Sequence, residues 1–327
     1  MRALALFSGG LDSMIAVKLI TDQNIDVTAL FIDVGFGSKD DKSEILKKRA
    51  NMVGADFEII NAKEQFVQDI LFNPKYGYGK NFNPCIDCHA NMFKIALSLL
   101  QKYDAKFVIT GEVIGQRPMS QRSEAIKNVT KLAGDEEGGL IVRPMSAKLM
   151  KPTIPEIKGW IDREKLLGIS GRNREIQLKL AKEYGFSEFE SPGGGCLLTE
   201  EMMAKKIREH IKYDKFLVED IDVLKVGRHL RLPDGAKLVI GRNQEENKKI
   251  ESIKNNKFVF AKANDLAGPL SLISKNATMN DKNLAAKLIL TYTKAQFNNI
   301  YTVQIADDII EATPYKSKQE AQKYFLI

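Results

Sequence analysis

Short apolar runs alternate with helical patterns through the first half of the chain. The runs Ala3–Phe7, Val27–Asp33, Phe57–Asn61, Phe107–Thr110 and Leu140–Val142 indicate buried strands. Helical patterns lie between them, over about Leu11–Gln23, Ser43–Gly54 and Ala90–Tyr103. This alternation predicts an α/β domain, a doubly wound parallel sheet with helices on both faces. Such sheets bind ligands beyond the carboxyl ends of their strands, so the loops after the first, second and fourth predicted strands should carry the chemistry.

The pattern changes in the second half of the chain. Residues 152–213 are mainly helical in pattern, but the glycine-rich run from Ser191 to Cys196 cannot lie within a helix. Beyond Lys215, the sequence predicts strands at Asp222–Val226, Lys237–Ile240 and Phe258–Ala261, and helices at Gln244–Asn255 and Asp281–Thr293. We therefore expect an α/β domain over residues 1–170, a helical connector with the third cysteine over 171–214, and a smaller α+β domain over 215–327.

Composition is that of an ordered globular protein. The 327 residues exceed the roughly 100–200 of a typical domain, and the 44% hydrophobic and 28% charged residues exclude a disordered or fibrous chain. No apolar run approaches the roughly 18 residues of a membrane span, and the short N-terminal run does not resemble a signal peptide. We therefore expect a cytoplasmic protein. Most of the net charge of +7 lies in residues 215–327, which suits either a solvated surface or a polyanion-binding one.

A glycine loop follows the first predicted strand. It runs Ser8-Gly9-Gly10-Leu11-Asp12-Ser13 and leads directly into a predicted helix. Glycines let successive N–H groups converge on an anion, and the helix start adds the positive end of its dipole. The serine hydroxyls can donate hydrogen bonds, and Asp12 can hold Mg²⁺. Since the Gly-Lys-Ser/Thr of a Walker P-loop is missing, a different phosphate-binding loop is predicted.

The three cysteines, Cys85, Cys88 and Cys196, form an odd set, which argues against a disulfide framework. Cys85-x-x-Cys88-His89 matches the haem-attachment pattern, but that chemistry requires export. A zinc site would need a histidine as a fourth ligand: His89, His210 or His229. Three thiolates also suit three irons of a 4Fe–4S cluster whose fourth iron is open to carry sulfide. The spacing is compatible with both the zinc and the cluster arrangement.

Three motifs carry a resemblance to known families. SGGLDS resembles the PP-loop of N-type ATP pyrophosphatases, which cleave ATP between the α- and β-phosphates and adenylate a carbonyl oxygen. Asn-Pro-Cys-x-x-Cys before a helix resembles the tRNA 2-thiouridine synthases. The stretch Thr110–Gln116 resembles the Gly-Glu-x-x-Gly-Gln stretch of tRNA 4-thiouridine synthases. Both synthase families place a second essential cysteine far downstream, where Cys196 stands.

The resemblance covers about residues 1–200 and implies an ATP-dependent tRNA sulfurtransferase. A uridine carbonyl oxygen is adenylated with release of pyrophosphate, and sulfur then displaces AMP. It implies that pyrophosphate and Mg²⁺ are held by Ser8, Gly9, Gly10, Asp12 and Ser13, and that Asp33, Gly111, Glu112 and Gln116 position the nucleotide or base. Asp12, Cys85 and Cys196 are the expected catalytic residues.

The expected cofactors are ATP, Mg²⁺ and a 4Fe–4S cluster on Cys85, Cys88 and Cys196, with zinc as the second choice. A cysteine-persulfide route without a cluster stays open. The expected sulfur donor is a cysteine desulfurase or free sulfide.

The C-terminal region shows a looser resemblance. Residues 227–232 and 237–247 resemble an RNA-binding domain of ribosome-quality-control proteins. Basic side chains on strands suit phosphate contact, so Arg228, His229, Arg231 and Arg242 are the expected tRNA contacts. Two other functions stay open: a PP-loop enzyme acting on a small molecule with a zinc site, and a non-enzymatic RNA-binding protein that senses nucleotide. The basic C-terminal domain favours the tRNA enzyme, because a small-molecule enzyme does not need it.

Overall fold

The computed structural model describes residues 1–38, 41–135, 139–190 and 195–326. The chain divides into two compact units, an N-terminal unit of Met1–Thr199 and a C-terminal unit of Glu200–Ile327. The expected connector is therefore shared: its residues up to Thr199 belong to the N-terminal unit and the rest to the C-terminal unit. In the predicted glycine break, Ser191–Gly194 lie outside the described residues.

The N-terminal unit is built on a five-stranded parallel sheet. Its strands are β1 (Arg2–Leu6), β2 (Asp26–Asp33), β3 (Asp56–Asn61), β4 (Ala105–Thr110) and β5 (Ile141–Val142). They lie in the order β3-β2-β1-β4-β5, and every neighbouring pair is parallel. The order reverses between β1 and β4, and the carboxyl ends at such a switch point form the usual ligand crevice. The predicted strands and the doubly wound fold class are confirmed.

Seven helices belong to this unit in its described residues. They are α1 (Leu11–Thr21), α2 (Ser43–Met52), α3 (Lys63–Phe66), α4 (Cys85–Ser98), α5 (Ser123–Ala133), α6 (Ile154–Ile157) and α7 (Glu175–Glu183). A π-helical turn lies at Val67–Leu71, and 3₁₀ turns lie at Ala147–Leu149, Arg163–Lys165 and Leu197–Thr199. Helix α1 packs with α7, and α4 packs with α5. Both α1 and α4 also pack on strands of the sheet.

The C-terminal unit contains a six-stranded antiparallel sheet of order β11-β10-β8-β9-β7-β6. Its strands are β6 (Arg228–Arg231), β7 (Lys237–Ile240), β8 (Phe258–Ala263), β9 (Ser271–Ser274), β10 (Tyr301–Ile305) and β11 (Asp308–Ala312). Its helices are α8 (Glu201–Tyr213), α9 (Asp220–Lys225), α10 (Gln244–Glu251), α11 (Met279–Thr291) and α12 (Lys318–Ala321), followed by a 3₁₀ turn at Gln322–Tyr324. The buried side of α11 packs on β8, β10 and β11 to form the main core. The second, smaller α+β domain is thus confirmed.

One predicted strand is wrong. Asp222–Val226 lies mostly in helix α9, where Val223 and Leu224 are both buried. A short apolar run does not by itself distinguish a strand from a helix. Asp220 decides the outcome, because its buried carboxylate accepts a hydrogen bond from the Leu217 backbone N–H and anchors the first turn.

Among the described residues, no helix has the length and apolar character needed to cross a membrane.

Candidate active site

The glycine loop joins β1 to α1 at the switch point of the sheet. Gly9 has a φ of +70°, which glycine adopts readily and other residues avoid. A Cβ at this position would also lie 2.4 Å from Leu46 Cδ2. Gly10 caps α1, and its carbonyl accepts a hydrogen bond of 2.7 Å from Ser13 Oγ. Since the first N–H groups of a helix have no partner within it, the loop presents donors to an anion in the crevice.

The loop after β4 approaches this helix start closely at Gly111. A Cβ there would lie 2.5 Å from the Ser13 backbone nitrogen and 2.6 Å from the Asp12 carbonyl carbon. These are backbone atoms, which cannot move aside as a side chain can. Gly111 therefore contributes by lacking a side chain, and the backbone contact fixes the loop after β4 against the start of α1.

Asp12 joins three parts of the site. Its Oδ2 accepts a hydrogen bond of 2.8 Å from Gln116 Nε2 and lies 3.9 Å from a terminal nitrogen of Arg174. Its Oδ1 is buried and has no hydrogen-bond partner among the described residues. Leaving such an atom unpaired costs about 1–3 kcal/mol, so a bound group is expected to satisfy it. Mg²⁺ prefers carboxylate oxygens, so Asp12 fits the expected Mg²⁺.

Glu112 is buried beside this site. One of its oxygens lies 2.9 Å from His89 Nδ1, and the other accepts a hydrogen bond of 2.9 Å from Arg143 Nε. Burial alone would raise the pKa of Glu112, but Arg143 and His89 hold it below its usual value. Both oxygens are thus engaged within the protein. This arrangement lets Glu112 orient His89 and Arg143, while its contact with nucleotide stays a prediction.

Asp33 ends β2 and is likewise engaged. Its Oδ1 accepts a hydrogen bond of 2.8 Å from the Gly35 backbone N–H, and its Oδ2 lies 3.1 Å from Lys63 Nζ. These contacts shape the turn after β2. The role of Asp33 at the adenine or ribose stays a prediction.

The cysteine pair begins α4, five residues earlier than the helix predicted at Ala90. Asp87 fixes this first turn, since its carboxylate accepts hydrogen bonds from the backbone N–H groups of Lys75 and Tyr76. The buried Asn83 donates a hydrogen bond of 3.1 Å to Cys85 Sγ. The Asn83 side chain, which lies just before the helix, therefore fixes the position of the Cys85 sulfur.

The Cys88 thiol responds to burial and to neighbouring ionisable groups. Burial raises the pKa of the Cys88 thiol well above its ordinary value, and the charges of Cys196, Cys85 and Asp87 raise it further. All three cysteines are free thiols.

Backbone contacts join the segments on both sides of Cys196 to the loops of the crevice. After it, the Leu197 backbone N–H donates a hydrogen bond of 2.8 Å to the Phe36 carbonyl, beyond β2. Before it, Glu190 forms an isolated parallel bridge with Gly10 of the phosphate loop. The cysteine-bearing segment and the phosphate loop therefore lie at the same edge of the sheet.

The thiol donor set suits an iron–sulfur cluster, whose irons prefer thiolates. Within the described ranges, however, no group of three or more His, Cys, Asp or Glu side chains is placed to hold a metal ion. Among the described residues, the three thiols therefore do not form a preformed metal site.

Several residues of this site were not predicted from the sequence. Arg49 donates a hydrogen bond of 3.1 Å to the Gly9 carbonyl and so supports the phosphate loop. Arg143 contacts Glu112, Arg174 lies beside Asp12, and Asn83 donates a hydrogen bond to Cys85 Sγ. Arg143 gave a signal as an arginine directly after the predicted fifth strand, and Asn83 belongs to the Asn-Pro-Cys-x-x-Cys motif. Arg49 and Arg174 depend on contacts between distant parts of the chain.

In the C-terminal unit, His229 does not present a surface for RNA. The residue is 5% exposed, and its Nε2 donates a hydrogen bond of 2.8 Å to the Val226 carbonyl. Burial, together with the charges of Lys206 and Lys237, lowers the pKa of His229 well below its ordinary value. A neutral, enclosed imidazole supports the fold, so the expectation of an RNA contact at His229 is corrected.

The three predicted arginine contacts differ in how far they are already engaged. Arg231 pairs with Glu209, donates to the Gly235 carbonyl and stacks over Tyr213, and its side chain is 14% exposed. These contacts hold Arg231 within the unit, and its contact with RNA stays a prediction.

Arg228 and Arg242 remain predicted RNA contacts. Arg228 lies 4.7 Å from the Tyr292 ring centre, and the side chain of Arg242, although paired with Glu246, is 45% exposed.

Two family models match parts of the chain. Residues 2–77 match the argininosuccinate synthase N-terminal HUP domain, and residues 227–325 match the NFACT protein RNA binding domain. The first match contains the phosphate loop, and the second begins one residue before β6.

Characterised relatives are tRNA-modifying enzymes by name. A tRNA-specific 2-thiouridylase MnmA 2 of Fusobacterium nucleatum is 25% identical over 229 residues, covering 68% of this chain and 63% of the relative. The MnmA enzyme of Petrotoga mobilis is 32% identical over 131 residues, covering 35% of each chain. That of Burkholderia vietnamiensis is 24% identical over 243 residues, covering 71% of this chain and 59% of the relative. The chain thus spans less than two thirds of the length of each relative.

Solved structures show distant similarity. A 4-thiouridine synthetase–RNA complex with bound ATP has a TM-score of 0.41 at 18% identity, covering 68% of this chain and 52% of that one. The C-terminal part of a fibronectin/fibrinogen-binding protein from Streptococcus suis has a TM-score of 0.28 at 12% identity, covering 47% and 79%. From the sequence matches, this chain resembles the PP-loop tRNA thiolation enzymes and carries, in its C-terminal unit, a segment that matches an NFACT RNA-binding domain.

Proposed function

We propose that this protein is an ATP-dependent tRNA sulfurtransferase that replaces a uridine carbonyl oxygen by sulfur. One observation carries the proposal: the phosphate loop and the segment that bears Cys196 lie at the same edge of the sheet, joined by the Gly10–Glu190 bridge. A nucleotide and a sulfur atom held there can reach the same base. The similarity to tRNA-specific 2-thiouridylases supports tRNA as the substrate.

The phosphate loop and the cysteines serve two successive steps of one reaction: activation of the carbonyl oxygen and its replacement by sulfur. A carbonyl oxygen is a poor leaving group, so it first attacks the α-phosphorus of ATP. The bond from that phosphorus to the bridging oxygen breaks, and pyrophosphate leaves with the electron pair. The oxygen now departs as part of AMP when sulfur attacks the base carbon. In this reaction the glycine loop holds pyrophosphate through its N–H groups, and Asp12 holds Mg²⁺, which neutralises phosphate charge when bound.

The cysteines divide the sulfur chemistry among themselves. Asn83 orients the sulfur of Cys85, and backbone contacts join the segment that bears Cys196 to the loops of the crevice. In the persulfide route we assign sulfur delivery to Cys85 and Cys196, whereas in the cluster route all three cysteines are ligands.

For the sulfur carrier we propose a 4Fe–4S cluster held by Cys85, Cys88 and Cys196, with a cysteine persulfide as the alternative. The thiol donor set supports the cluster. Iron and acid-labile sulfide, measured in protein purified without oxygen, separate the two. Stoichiometric iron that disappears in Cys88→Ser supports the cluster, whereas sulfur insertion by iron-free protein supports the persulfide.

A pair of variants tests the division between activation and sulfur insertion. With purified protein, tRNA, ATP, Mg²⁺ and sulfide, Asp12→Ala should stop both pyrophosphate release and thiolation. Cys196→Ala should keep tRNA-dependent pyrophosphate release and lose thiolation. Thiolation by Asp12→Ala, or pyrophosphate release that does not depend on tRNA in the wild type, would contradict the proposal.

A further inference from the structure

We propose that Arg174 contacts the phosphates of ATP and stabilises the departing pyrophosphate. The inference rests on the proposed function and names an additional catalytic residue for it. Arg174 lies outside every motif that pointed to nucleotide binding, more than 160 positions from the phosphate loop in sequence.

The segment before α7 is fixed against the crevice. The Gly171 backbone N–H donates a hydrogen bond of 2.7 Å to the Ile114 carbonyl, and Ile114 forms a parallel bridge with Ser170. Helix α7 itself packs on α1. These contacts hold Arg174, which caps α7, beside the first turn of α1 rather than at a mobile position.

The polar atoms left unpaired at this place match what Mg²⁺-ATP offers. Arg174 Nε is buried without a hydrogen-bond partner among the described residues, and so are Asp12 Oδ1 and Gln116 Oε1. Arg174 Nε is a donor and needs an acceptor, such as a phosphate oxygen. Asp12 Oδ1 and Gln116 Oε1 are acceptors, and each needs a cation or the hydrogens of water bound to that cation. One ligand that combines phosphate, a divalent cation and water satisfies all three.

The charge of Arg174 has a second use during the reaction. Its guanidinium stays protonated in proteins, and without ligand it lies 3.9 Å from the Asp12 carboxylate and partly balances it. When the bond between the α-phosphorus and the bridging oxygen breaks, negative charge grows on pyrophosphate. A fixed guanidinium beside that charge stabilises the transition state more than the ground state.

The test compares three variants and three ligands. Arg174→Gln and Arg174→Lys are measured against Arg172→Gln, an exposed arginine two residues earlier in the same segment. Calorimetry in Mg²⁺ gives the affinity for ATP, pyrophosphate and AMP. Loss of a charge-assisted hydrogen bond should weaken ATP and pyrophosphate binding by Arg174→Gln by about ten- to a hundredfold. AMP binding should be unchanged, Arg174→Lys should be intermediate, and Arg172→Gln should match the wild type.

Two results would overturn the inference. Wild-type affinity of Arg174→Gln for ATP and pyrophosphate would show that Arg174 does not contact phosphate. An equal loss of affinity for AMP would show that the substitution only disturbs the site. The proposed function has a separate readout, tRNA-dependent pyrophosphate release by the wild type. If the wild type binds ATP but shows no tRNA-dependent pyrophosphate release, the proposed tRNA reaction is contradicted and the role of Arg174 is not. If the wild type does not bind ATP, the proposed function and the role of Arg174 are both contradicted.

Discussion

Gly111 shows how a single position controls the contact between two loops of the site. Its missing side chain lets the loop after β4 touch the backbone of Asp12 and Ser13. That contact keeps Gln116, on the same loop, within 2.8 Å of the Asp12 carboxylate. The geometry around Asp12 therefore depends on a residue that has no side chain.

Substitution of Gly111 tests this contact. Gly111→Ala should lose about 1–3 kcal/mol of unfolding free energy, because its Cβ would have to displace backbone atoms. ATP binding should weaken as well, since Asp12 would move. Urea unfolding and calorimetry measure the two effects. Gly37→Ala is the control, because a Cβ there meets only Phe31 at an ordinary 3.8 Å. Equal stability of the two variants would contradict the account.

The sequence predicted some of these residues and not others, for a physical reason. Ser8, Gly9, Gly10 and Asp12 lie on one short loop, whose strand-to-helix position follows from local periodicity. The engagement of Glu112 by Arg143 depends on a contact across 31 residues, and nothing local indicates it. The burial of His229 depends equally on how a whole sheet is covered.

At the level of elements, a buried ion pair joins α8 to β6 and β7. Glu209 on α8 accepts a hydrogen bond of 2.9 Å from Lys237 Nζ and pairs with Arg231. The Lys237 side chain is 2% exposed, so its charge depends on this carboxylate. Burial lowers the pKa of Lys237, and Glu209 opposes that change.

Loss of the carboxylate should therefore weaken the C-terminal unit. Glu209→Gln leaves a buried ammonium without its counter-charge and should cost on the order of 3 kcal/mol. Glu245→Gln removes the partner of Lys249 on the surface of α10 and should cost less than about 1 kcal/mol. Chemical denaturation of the full chain compares them. Similar losses in both variants would show that the buried pair contributes no more than a surface pair.

The acid response of the same unit should depend on α9. Burial alone would raise the pKa of Asp220, but His210, Lys257 and Asn255 hold it far below its ordinary value. A depressed carboxylate pKa stabilises the fold above the unfolded-state value of about 4, and this contribution is lost as the pH falls below it.

Asp220→Asn should thus flatten the fall in unfolding free energy below about pH 4. Asp222→Asn, which changes a side chain that is 64% exposed, should keep the wild-type slope. Denaturation at a series of pH values measures both slopes. An unchanged slope in Asp220→Asn would remove Asp220 from the acid response.

On the scale of the whole molecule, the chain combines two units with different sequence signals. The doubly wound sheet was predictable because strands and helices alternate strictly along residues 1–142. The boundary after Thr199 was not, because no linker-like composition marks it and the cysteine segment returns to the crevice through long-range contacts. In the C-terminal unit the short strands β6, β9, β10 and β11 gave too little periodicity to predict, although the α+β class was correct.

The presence of both units in one chain is also the reason why we assign one reaction to them. The N-terminal unit holds the phosphate loop and the cysteines, and the C-terminal unit matches an RNA-binding family model over residues 227–325. Nucleotide activation, sulfur delivery and RNA recognition are the three tasks that thiolation of a tRNA base requires.

The most direct test is nucleoside mass spectrometry of bulk tRNA from cells with the gene and cells without it. We predict that one thionucleoside disappears on deletion and returns with the wild-type gene, but not with the Asp12→Ala or Cys196→Ala variant. A set of thionucleosides that is unchanged by deletion, in cells with no second enzyme for the same modification, would contradict the assignment of this protein as a tRNA sulfurtransferase.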